Sequence, residues 1–282
     1  MIDTNVNRRQ DNNVKWSVTK DDDQLLPMTV ADMDIATPQF IREAMQRVLD
    51  QKVLGYTMPS TVFYNAIIHW QKTYHNVSLK RDQLIIVPSV AVGLSFVIRH
   101  LTQVDDGIIV MSPYYPPYRQ LVIDNQRQFI EFPLVQREGQ YVIDLDRLDQ
   151  VMAESNAKAI IVCNPHNPGG CVWTTSELQR IQDIANAHSV LVLADEIHDD
   201  VAFSDNLPVS MMSDLMGEEA SDQTILLKSA TKAFNLAGIK CAFLAVKNPK
   251  LLSILKQAAA AEAIEEVNTL GLVATRVAYE QG

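Results

Sequence analysis

The sequence predicts an α/β domain with a mostly parallel sheet covered by helices on both faces. From about residue 84 onward, short and continuously apolar runs alternate with helical stretches, which is typical of such domains. A strand that is apolar at consecutive positions has both faces buried, as a parallel sheet between two helix layers requires. The apolar runs are LIIV (84–87), GIIVM (107–111), KAIIVC (158–163), SVLVLA (189–194), TILLK (224–228) and KCAFLAV (240–246).

Helix signals occur before and between these runs. Thr37 and Pro38 predict a helix start, with Thr37 as the cap and Pro38 at the first helical position. Two apolar stripes at helical spacing follow in the sequence, and each predicts one buried helix face: Ile41, Ala44, Met45, Val48 and Leu49, then Phe63, Ala66, Ile67, Trp70 and Tyr74. Between the third and fourth apolar runs, Thr174 and Glu177 form a capping box that opens another helix.

Composition excludes several classes of protein. Of 282 residues, 47% are hydrophobic and 21% are charged, so the chain can offset its conformational entropy and is not disordered. A net charge of −10 without any Lys or Arg run argues against nucleic acid as a partner. No apolar stretch approaches about 18 residues, so we expect no membrane span. Cys163, Cys171 and Cys241 form no C-x-x-C pair, and no secretory signal opens the sequence, so we expect free thiols and a cytoplasmic protein.

In a parallel sheet, ligands bind beyond the carboxyl ends of the strands. After the first run, residues 88–93 open a helix whose exposed amides predict an anion site. After the second, residues 112–118 (SPYYPPY) offer a stiff aromatic face, or a packed surface turn. After the third, residues 164–170 (NPHNPGG) contain two Asn-Pro steps, which favour a tight turn and allow a cis bond. The sequence contains neither a dinucleotide fingerprint nor a Walker phosphate loop.

Two charged groups follow the later strands. Asp195 ends a buried strand, where a carboxylate requires a positive partner such as a protonated ring nitrogen. His198 could face the same cavity, and a D-x-x-H metal pair is the competing interpretation, although no further ligand has recognisable spacing. Lys232 lies among hydroxyls just past the next strand, where burial and nearby cations would lower its pKa and free a nucleophilic amine.

The ordered motifs NPHNPGG, ADEIH and SATKAFN resemble those of the fold-type I enzymes that use pyridoxal phosphate (PLP), the aspartate aminotransferase superfamily. Three N-terminal segments narrow this resemblance to the MalY/PatB branch of C–S lyases: KW at 15–16, ADMDIATP at 31–38 and LGYT at 54–57. The resemblance runs from about residue 14 to the end of the chain. It implies a PLP-dependent transferase-like large domain.

The resemblance implies the catalytic roles. Lys232 matches the lysine that forms a Schiff base with PLP and later carries the α-proton. Asp195 matches the acid paired with the pyridine nitrogen, which makes the ring an electron sink. Tyr115 matches the aromatic that stacks on the ring. Asn167 matches the donor to the 3′ oxygen, and His198 lies where a second group near that oxygen is found.

The resemblance also implies a phosphate site. Ser229 and the N–H groups of Val90 and Ala91 match phosphate ligands. Tyr56 matches a tyrosine that a neighbouring subunit lends to the phosphate, which implies a homodimer. Lys240 stands where aminotransferases often carry an Arg, and a Lys can pair with phosphate but not bidentately. We expect no metal.

The expected organisation is an N-terminal part of a small domain (1–48) and a PLP-binding large domain (49–282). The family continues for about 100 further residues, roughly one small domain, which carry an Arg for the substrate carboxylate. We therefore expect that C-terminal domain to be absent. The expected activity is β-elimination from cystathionine or related S-substituted cysteines, giving a thiol, pyruvate and ammonia. The alternatives are an amino-acid aminotransferase and a truncated PLP-binding protein with no turnover or with a regulatory role.

Overall fold

The computed structural model describes residues 6–9, 12–19, 22, 24–203, 207–217 and 222–282. Parts of the predicted N-terminal segment (1–5, 10–11, 20–21 and 23) lie outside the described residues. The described helices are α1 (Val14–Ser17), α2 (Gln39–Asp50), α3 (Thr61–His75), α4 (Val90–Leu101), α5 (Pro117–Asp124), α6 (Leu145–Glu154), α7 (Thr175–Ala187), α8 (Pro249–Glu262) and α9 (Thr269–Gln281). The strands are β1 (Leu84–Val87), β2 (Gly107–Ser112), β3 (Gln128–Pro133), β4 (Val135–Arg137), β5 (Gln140–Val142), β6 (Ala157–Cys163), β7 (Leu191–Asp195), β8 (Thr224–Lys228) and β9 (Ala242–Val246).

The central sheet has the order β1-β9-β8-β7-β6-β2-β3 in the described part of the chain. Strand β9 runs antiparallel to both of its neighbours, and the other adjacent pairs are parallel. The prediction of a mostly parallel sheet is therefore confirmed. The edge strand β3 and the separate β4–β5 hairpin were not predicted from the sequence.

Helices cover both faces of this sheet, and alternate strand residues enter two separate cores. Ile86, Ile109 and Met111 pack in the core shared with α2, α3, α6, α7 and α9. Ile85 and Ile108, their neighbours in the chain, pack in the core shared with α4, α5 and α8. Because each central strand feeds both cores, its consecutive residues are apolar, as the sequence predicts.

Three helix predictions need correction in detail. The first long helix begins at Gln39 with Pro38 at the cap position, and no side chain caps it. The Thr37 hydroxyl instead donates to the backbone carbonyl of Asn235 at 3.0 Å. Leu49 and Tyr74, the last members of the two predicted apolar stripes, are exposed. The predicted capping box of Thr174 and Glu177 is confirmed at the start of α7.

The predicted domain boundary between residues 48 and 49 falls inside α2, and the division into domains stays a prediction. The three cysteines are free. In the described residues, no helix has both the length and the apolar character needed to cross a bilayer.

Candidate active site

A cavity of about 710 Å³ lies at the carboxyl edge of the sheet, where a ligand site is expected. The loops that follow β1, β2, β6, β7 and β8 line it, together with residues 28–31 of the N-terminal segment. Nine of the ten predicted site residues line this cavity: Val90, Ala91, Tyr115, Asn167, Asp195, His198, Ser229, Lys232 and Lys240. Tyr56 does not line it and is fully exposed.

Asp195 ends β7 and is buried at the floor of the cavity. Its Oδ2 atom accepts a hydrogen bond from the Tyr118 hydroxyl at 2.6 Å, and its Oδ1 atom accepts one from the Ile197 N–H at 3.2 Å. Burial raises the pKa of Asp195, and these two donors and Lys232 oppose that rise. A positively charged group inside the cavity would therefore strongly favour the ionised form of Asp195.

Tyr118 is a site residue that sequence reasoning missed. It lies three residues after Tyr115, at the start of α5, and the two rings meet edge to face with centroids 5.5 Å apart. The sequence places Tyr118 in the aromatic loop, but the loop alone does not show which tyrosine reaches Asp195. Burial and the Asp195 charge raise the pKa of Tyr118 well above its usual value, so it remains a hydrogen-bond donor.

Lys232 follows β8 and points its amine into the same cavity. Its Nζ atom donates to the backbone carbonyl of Ala31 at 2.8 Å. Burial lowers the pKa of Lys232, and Lys240 lowers it further, whereas Asp32 and Asp195 raise it. A lysine with a lowered pKa supplies neutral amine more readily near neutral pH, which suits both nucleophilic attack and proton transfer.

The N-terminus of α4 forms a second part of the cavity wall. The hydroxyl of Ser89 accepts from the Val92 N–H at 3.2 Å, and its carbonyl accepts from the Gly93 N–H. The first amides of a helix have no intrahelical acceptor, so those of Val90 and Ala91 are available to an anion at the cavity. Gly93 permits this placement, because a Cβ there would lie 2.8 Å from a methyl of Leu244 in the sheet.

Ser229 and Lys240 also line the cavity. Ser229 is buried, its hydroxyl donates to the Cys241 carbonyl at 2.7 Å, and it accepts from the Thr231 N–H. Lys240 adopts a left-handed backbone conformation with φ of 58°. The first amides of α4 and the Lys240 charge are electropositive groups of the cavity lining, and together they are called its electropositive end.

The loop after β6 divides its roles between two asparagines. Asn164 is buried and serves the protein itself, because its amide donates to the Val209 carbonyl and its oxygen accepts from the Trp173 N–H. Asn167 lines the cavity instead. Both Asn-Pro bonds of the loop are cis.

His198 also lines the cavity, and burial, together with the Lys232 charge, lowers its pKa to about 4, so its imidazole is neutral.

A separate buried ionic cluster lies outside the cavity lining. His75 Nδ1 contacts Asp199 at 3.1 Å and its Nε2 contacts Asp200 at 2.7 Å, and Lys228 pairs with Asp199. Among the described residues, His75, Asp199 and Asp200 are the one group of three side chains close enough to hold a metal ion. That group includes neither member of the alternative Asp195–His198 metal pair. Lys228 already supplies a cationic partner to Asp199, and the two ring nitrogens of His75 already contact both carboxylates.

The lining residues fit PLP. The electropositive end matches a phosphate group, and buried Asp195 matches a ring nitrogen that can hold a proton. Tyr115 adds an aromatic ring to the same lining, and Lys232 adds an amine. Asn167 and His198 add polar atoms to the same wall. An α/β sheet with this set of groups at its carboxyl edge defines the class of fold-type I PLP-dependent enzymes.

Comparison with known proteins identifies the family. Residues 23–275 match the family model described as aminotransferase class I and II, so the chain belongs to that family. It is 29% identical over 276 residues to cystathionine beta-lyase PatB of Bacillus subtilis, covering 95% of this chain and 70% of that protein. It is 31% identical over 263 residues to protein MalY of Escherichia coli, covering 92% of this chain and 65% of that protein.

The fold agrees with this assignment. The crystal structure of cystalysin from Treponema denticola, which contains a pyridoxal 5′-phosphate cofactor, superimposes with a TM-score of 0.93 at 29% identity. The superposition covers 99% of this chain and 72% of that one. The predicted fold class, the MalY/PatB type of PLP-dependent β-lyase and the PLP cofactor are therefore confirmed. The family to which the chain belongs acts on amino-acid substrates.

Proposed function

We propose that this chain, with PLP bound, eliminates the thiol group from cystathionine or related S-substituted cysteines. The products are a thiol, pyruvate and ammonia. The observation that carries the proposal is that one cavity holds both the Lys232 amine and the buried carboxylate of Asp195. The family match and the lyase relatives support it. Because the chain spans 65% to 70% of those two relatives, its own turnover and its substrate belong to the proposal.

The proposed cofactor contacts use both ends of the cavity. The amides of Val90 and Ala91 would hold the phosphate. The Asp195 carboxylate would accept a hydrogen bond from the protonated ring nitrogen. The Tyr118 hydroxyl would fix the orientation of that carboxylate. Tyr115 would cover the ring face. When bound, PLP supplies an electrophilic carbon for an amine and an electron sink for negative charge at the substrate Cα.

The remaining contacts would complete the site. Lys240 would add a positive charge to the phosphate end, and Ser229 would donate there once its hydroxyl proton turns from the Cys241 carbonyl to the phosphate. Asn167 and His198 would lie near the 3′ oxygen of the ring. Because the His198 imidazole is neutral, it can donate one hydrogen bond there without adding charge.

Lys232 would move the proton. As a neutral amine, it accepts the Cα proton at Nζ and becomes an ammonium, while the electron pair of the broken C–H bond passes towards the cofactor. It then gives that proton to the sulfur as the Cβ–S bond breaks and the thiol leaves. The neutral Lys232 amine would then replace the substrate nitrogen on the cofactor carbon, so that a three-carbon enamine is released and reacts with water to give pyruvate and ammonia. The lowered pKa of Lys232 favours both directions of this transfer near neutral pH.

A homodimer and a cytoplasmic location are part of the proposal. Tyr56 is fully exposed and lies in an exposed apolar stretch with Leu54 and Met58. Such a stretch is typical of a surface that another chain covers, and a second copy would place Tyr56 at its neighbour's phosphate site. Mixing Lys232→Ala with Tyr56→Phe chains should restore activity, since one site of each mixed dimer regains both residues. The three free cysteines support a reducing compartment.

Borohydride reduction with PLP, followed by peptide mapping, tests the site. We expect a pyridoxyl adduct on Lys232, no adduct in Lys232→Ala, and a normal adduct in the surface control Lys158→Ala. An adduct at another lysine would overturn the site assignment. Incubation with cystathionine should then release pyruvate and a thiol.

The family name motivates one alternative, an aminotransferase. The same cavity residues serve both activities, so the product decides between them. Formation of pyridoxamine phosphate and a keto acid, without release of a thiol, would identify an aminotransferase. An adduct on Lys232 with neither set of products would identify a PLP-binding protein without turnover.

A further inference from the structure

The N-terminal segment that carries Ala31 closes one side of the cavity and contacts the Lys232 amine. Residues 28–31 line the cavity, and the Ala31 carbonyl accepts from Lys232 Nζ at 2.8 Å. These two residues are 201 positions apart in the chain. The contact therefore depends on what holds the segment in place.

Asn235 holds the segment next to Lys232. Its side-chain oxygen accepts from the Met33 N–H at 3.0 Å, and its amide donates to the carbonyls of Met33 at 2.9 Å and Ile35 at 2.8 Å. Asn235 lies three residues after Lys232 and has a left-handed backbone with φ of 56°. Because one short turn carries both residues, the segment is fixed relative to the amine.

Asp34 fixes the other side of the segment. Its carboxylate accepts from Lys15 Nζ at 2.7 Å, from the Trp16 indole N–H at 2.9 Å and from Arg8 at 3.2 Å. In the described part of the chain, the donors to this carboxylate all belong to the N-terminal segment. Asp34 is thus an anchor for the segment, and it is not among the groups that shift the pKa of Lys232.

Asp32, between the anchors, differs from Asp34. Its Oδ2 atom accepts from Arg8 at 3.0 Å, but its buried Oδ1 atom receives no hydrogen bond from any residue that the structure describes. The Asp32 charge acts on Lys232 and favours its charged form. A buried carboxylate oxygen without a donor has a desolvation cost, which a nearby ammonium reduces.

We propose that Ala31 and Asp32 form the resting position of the free Lys232 ammonium, with the Ala31 carbonyl as acceptor and the Asp32 carboxylate as counter-charge. The proposal rests on the proposed role of Lys232 in proton transfer. Between taking the Cα proton and giving it to sulfur, Lys232 is an ammonium inside a largely apolar cavity. Asp32 is a positioning residue in this step, since it acts on the amine through charge.

Other charged groups also face Lys232, and the test must separate them from Asp32. Asp195 favours the ammonium from the end of β7, and Lys240 opposes it from the electropositive end. His198 lies on the same wall, but its imidazole is neutral above a pH of about 4. Among the described residues of the N-terminal segment, Asp32 is the acid that acts on the amine. Changing Asp32 or Arg8 therefore alters the charge that the N-terminal segment presents to Lys232. It leaves Asp195, Lys240 and His198 unchanged.

Competitive labelling of the full chain with trace acetic anhydride, before PLP is added, measures the protonation of Lys232. Mass spectrometry of the Lys232 peptide across pH gives the labelling midpoint. Asp32→Asn should lower this midpoint by about one pH unit. At a fixed pH below the midpoint, that shift makes labelling of Lys232 about tenfold faster. Arg8→Gln should raise the midpoint, because Asp32 then loses its competing cation.

Asp34→Asn is the matched control. It removes one negative charge from the same segment and weakens the three hydrogen bonds that Asp34 accepts from Arg8, Lys15 and Trp16. It should move the labelling midpoint by less than half as much as Asp32→Asn does. Loosening of the segment alone would shift Asp32→Asn and Arg8→Gln in the same direction, which would overturn the proposal. An unchanged midpoint in Arg8→Gln would also overturn it, even where Asp32→Asn fails to fold. Because the labelling needs neither PLP nor turnover, its outcome is independent of the pyruvate and adduct assays.

Discussion

Replacing Lys228 with methionine should destabilise the protein in a pH-dependent way. Lys228 is fully buried at the end of β8, and its ammonium pairs with Asp199, which is also buried. Its charge also lowers the pKa of the neighbouring Glu196. Methionine has a similar length and no charge, so Lys228→Met removes the cation with little change in packing volume.

The magnitude follows from the two carboxyl groups left behind. Removing one partner of a buried ion pair costs about 3–5 kcal/mol, because the other charge stays buried without compensation. In the native protein, burial already raises the pKa of Asp199 and of Glu196 to about 7. Without Lys228 both would hold their protons to still higher pH. The loss of stability should therefore be small at pH 6 and grow above pH 7.

The sign follows from linkage between protonation and folding. Both carboxyls bind protons more tightly when folded than when unfolded, so each reduces stability as pH rises from the unfolded pKa through the folded one. Lys228 limits that reduction above pH 7. With a urea m-value of about 3 kcal/mol/M, a loss of about 3 kcal/mol at pH 8.5 lowers the unfolding midpoint by about 1 M.

Urea unfolding at pH 6 and pH 8.5 checks this prediction. The matched control is Lys72→Met, which breaks the half-exposed pair of Lys72 and Asp214 and should cost about 1 kcal/mol or less. Equal losses for Lys228→Met at both pH values would refute the electrostatic reasoning. A loss no larger than that of Lys72→Met would refute the claim that the buried carboxylates depend on Lys228.

Three further predictions concern PLP affinity, measured by equilibrium titration of the full chain. Tyr118→Phe removes a charge-assisted hydrogen bond to Asp195, of about 1.5–3 kcal/mol, and should weaken PLP binding about tenfold or more without unfolding the protein. Lys240→Gln should weaken PLP binding about tenfold and weaken binding of pyridoxal, which lacks the phosphate, much less. Gly93→Ala should cost about 1–3 kcal/mol of stability and weaken PLP binding, because the added Cβ pushes α4 off Leu244. Gly238→Ala, whose Cβ meets nothing within 4 Å, is its control. Unchanged PLP affinity in Tyr118→Phe, equal losses for both ligands in Lys240→Gln, or equal effects of the two glycine variants would contradict these expectations.

The central strands could be predicted because burial on both faces leaves a direct record in the sequence. Strand β6 is apolar at nearly every position, since its neighbours and two helix layers cover it. Strand β3 lies at the sheet edge and keeps exposed polar residues such as Gln128 and Glu131, so its sequence resembles a loop. The sequence signal therefore weakens where the sheet meets solvent.

The candidate site shows a similar division. Residues at or just after the carboxyl ends of strands, such as Asp195 and Lys232, lie close together because parallel strands share one carboxyl edge. Contacts that depend on a distant segment carry no such signal. The contact of Ala31 with Lys232 needs the side chain of Asn235 to hold a segment about 200 residues away. The motif ADMD marks that segment as distinctive but does not show what it touches.

The contacts at the strand end and the contacts of the N-terminal segment serve two different groups of the proposed reaction, Asp195 and Lys232. Asp195 lies on the rigid sheet, and its raised pKa reflects burial that the sheet itself imposes. Lys232 lies against a segment that Asn235 and Asp34 fix by side-chain hydrogen bonds, so the Ala31 carbonyl stays within reach of its amine. A group that must hold a proton and then release it needs a pKa near the working pH, whereas a group that must keep its charge needs partners that stabilise the charge. Burial and the opposing charges of Asp32 and Lys240 act on the pKa of Lys232, and the hydrogen bonds from Tyr118 and Ile197 support the charge of Asp195.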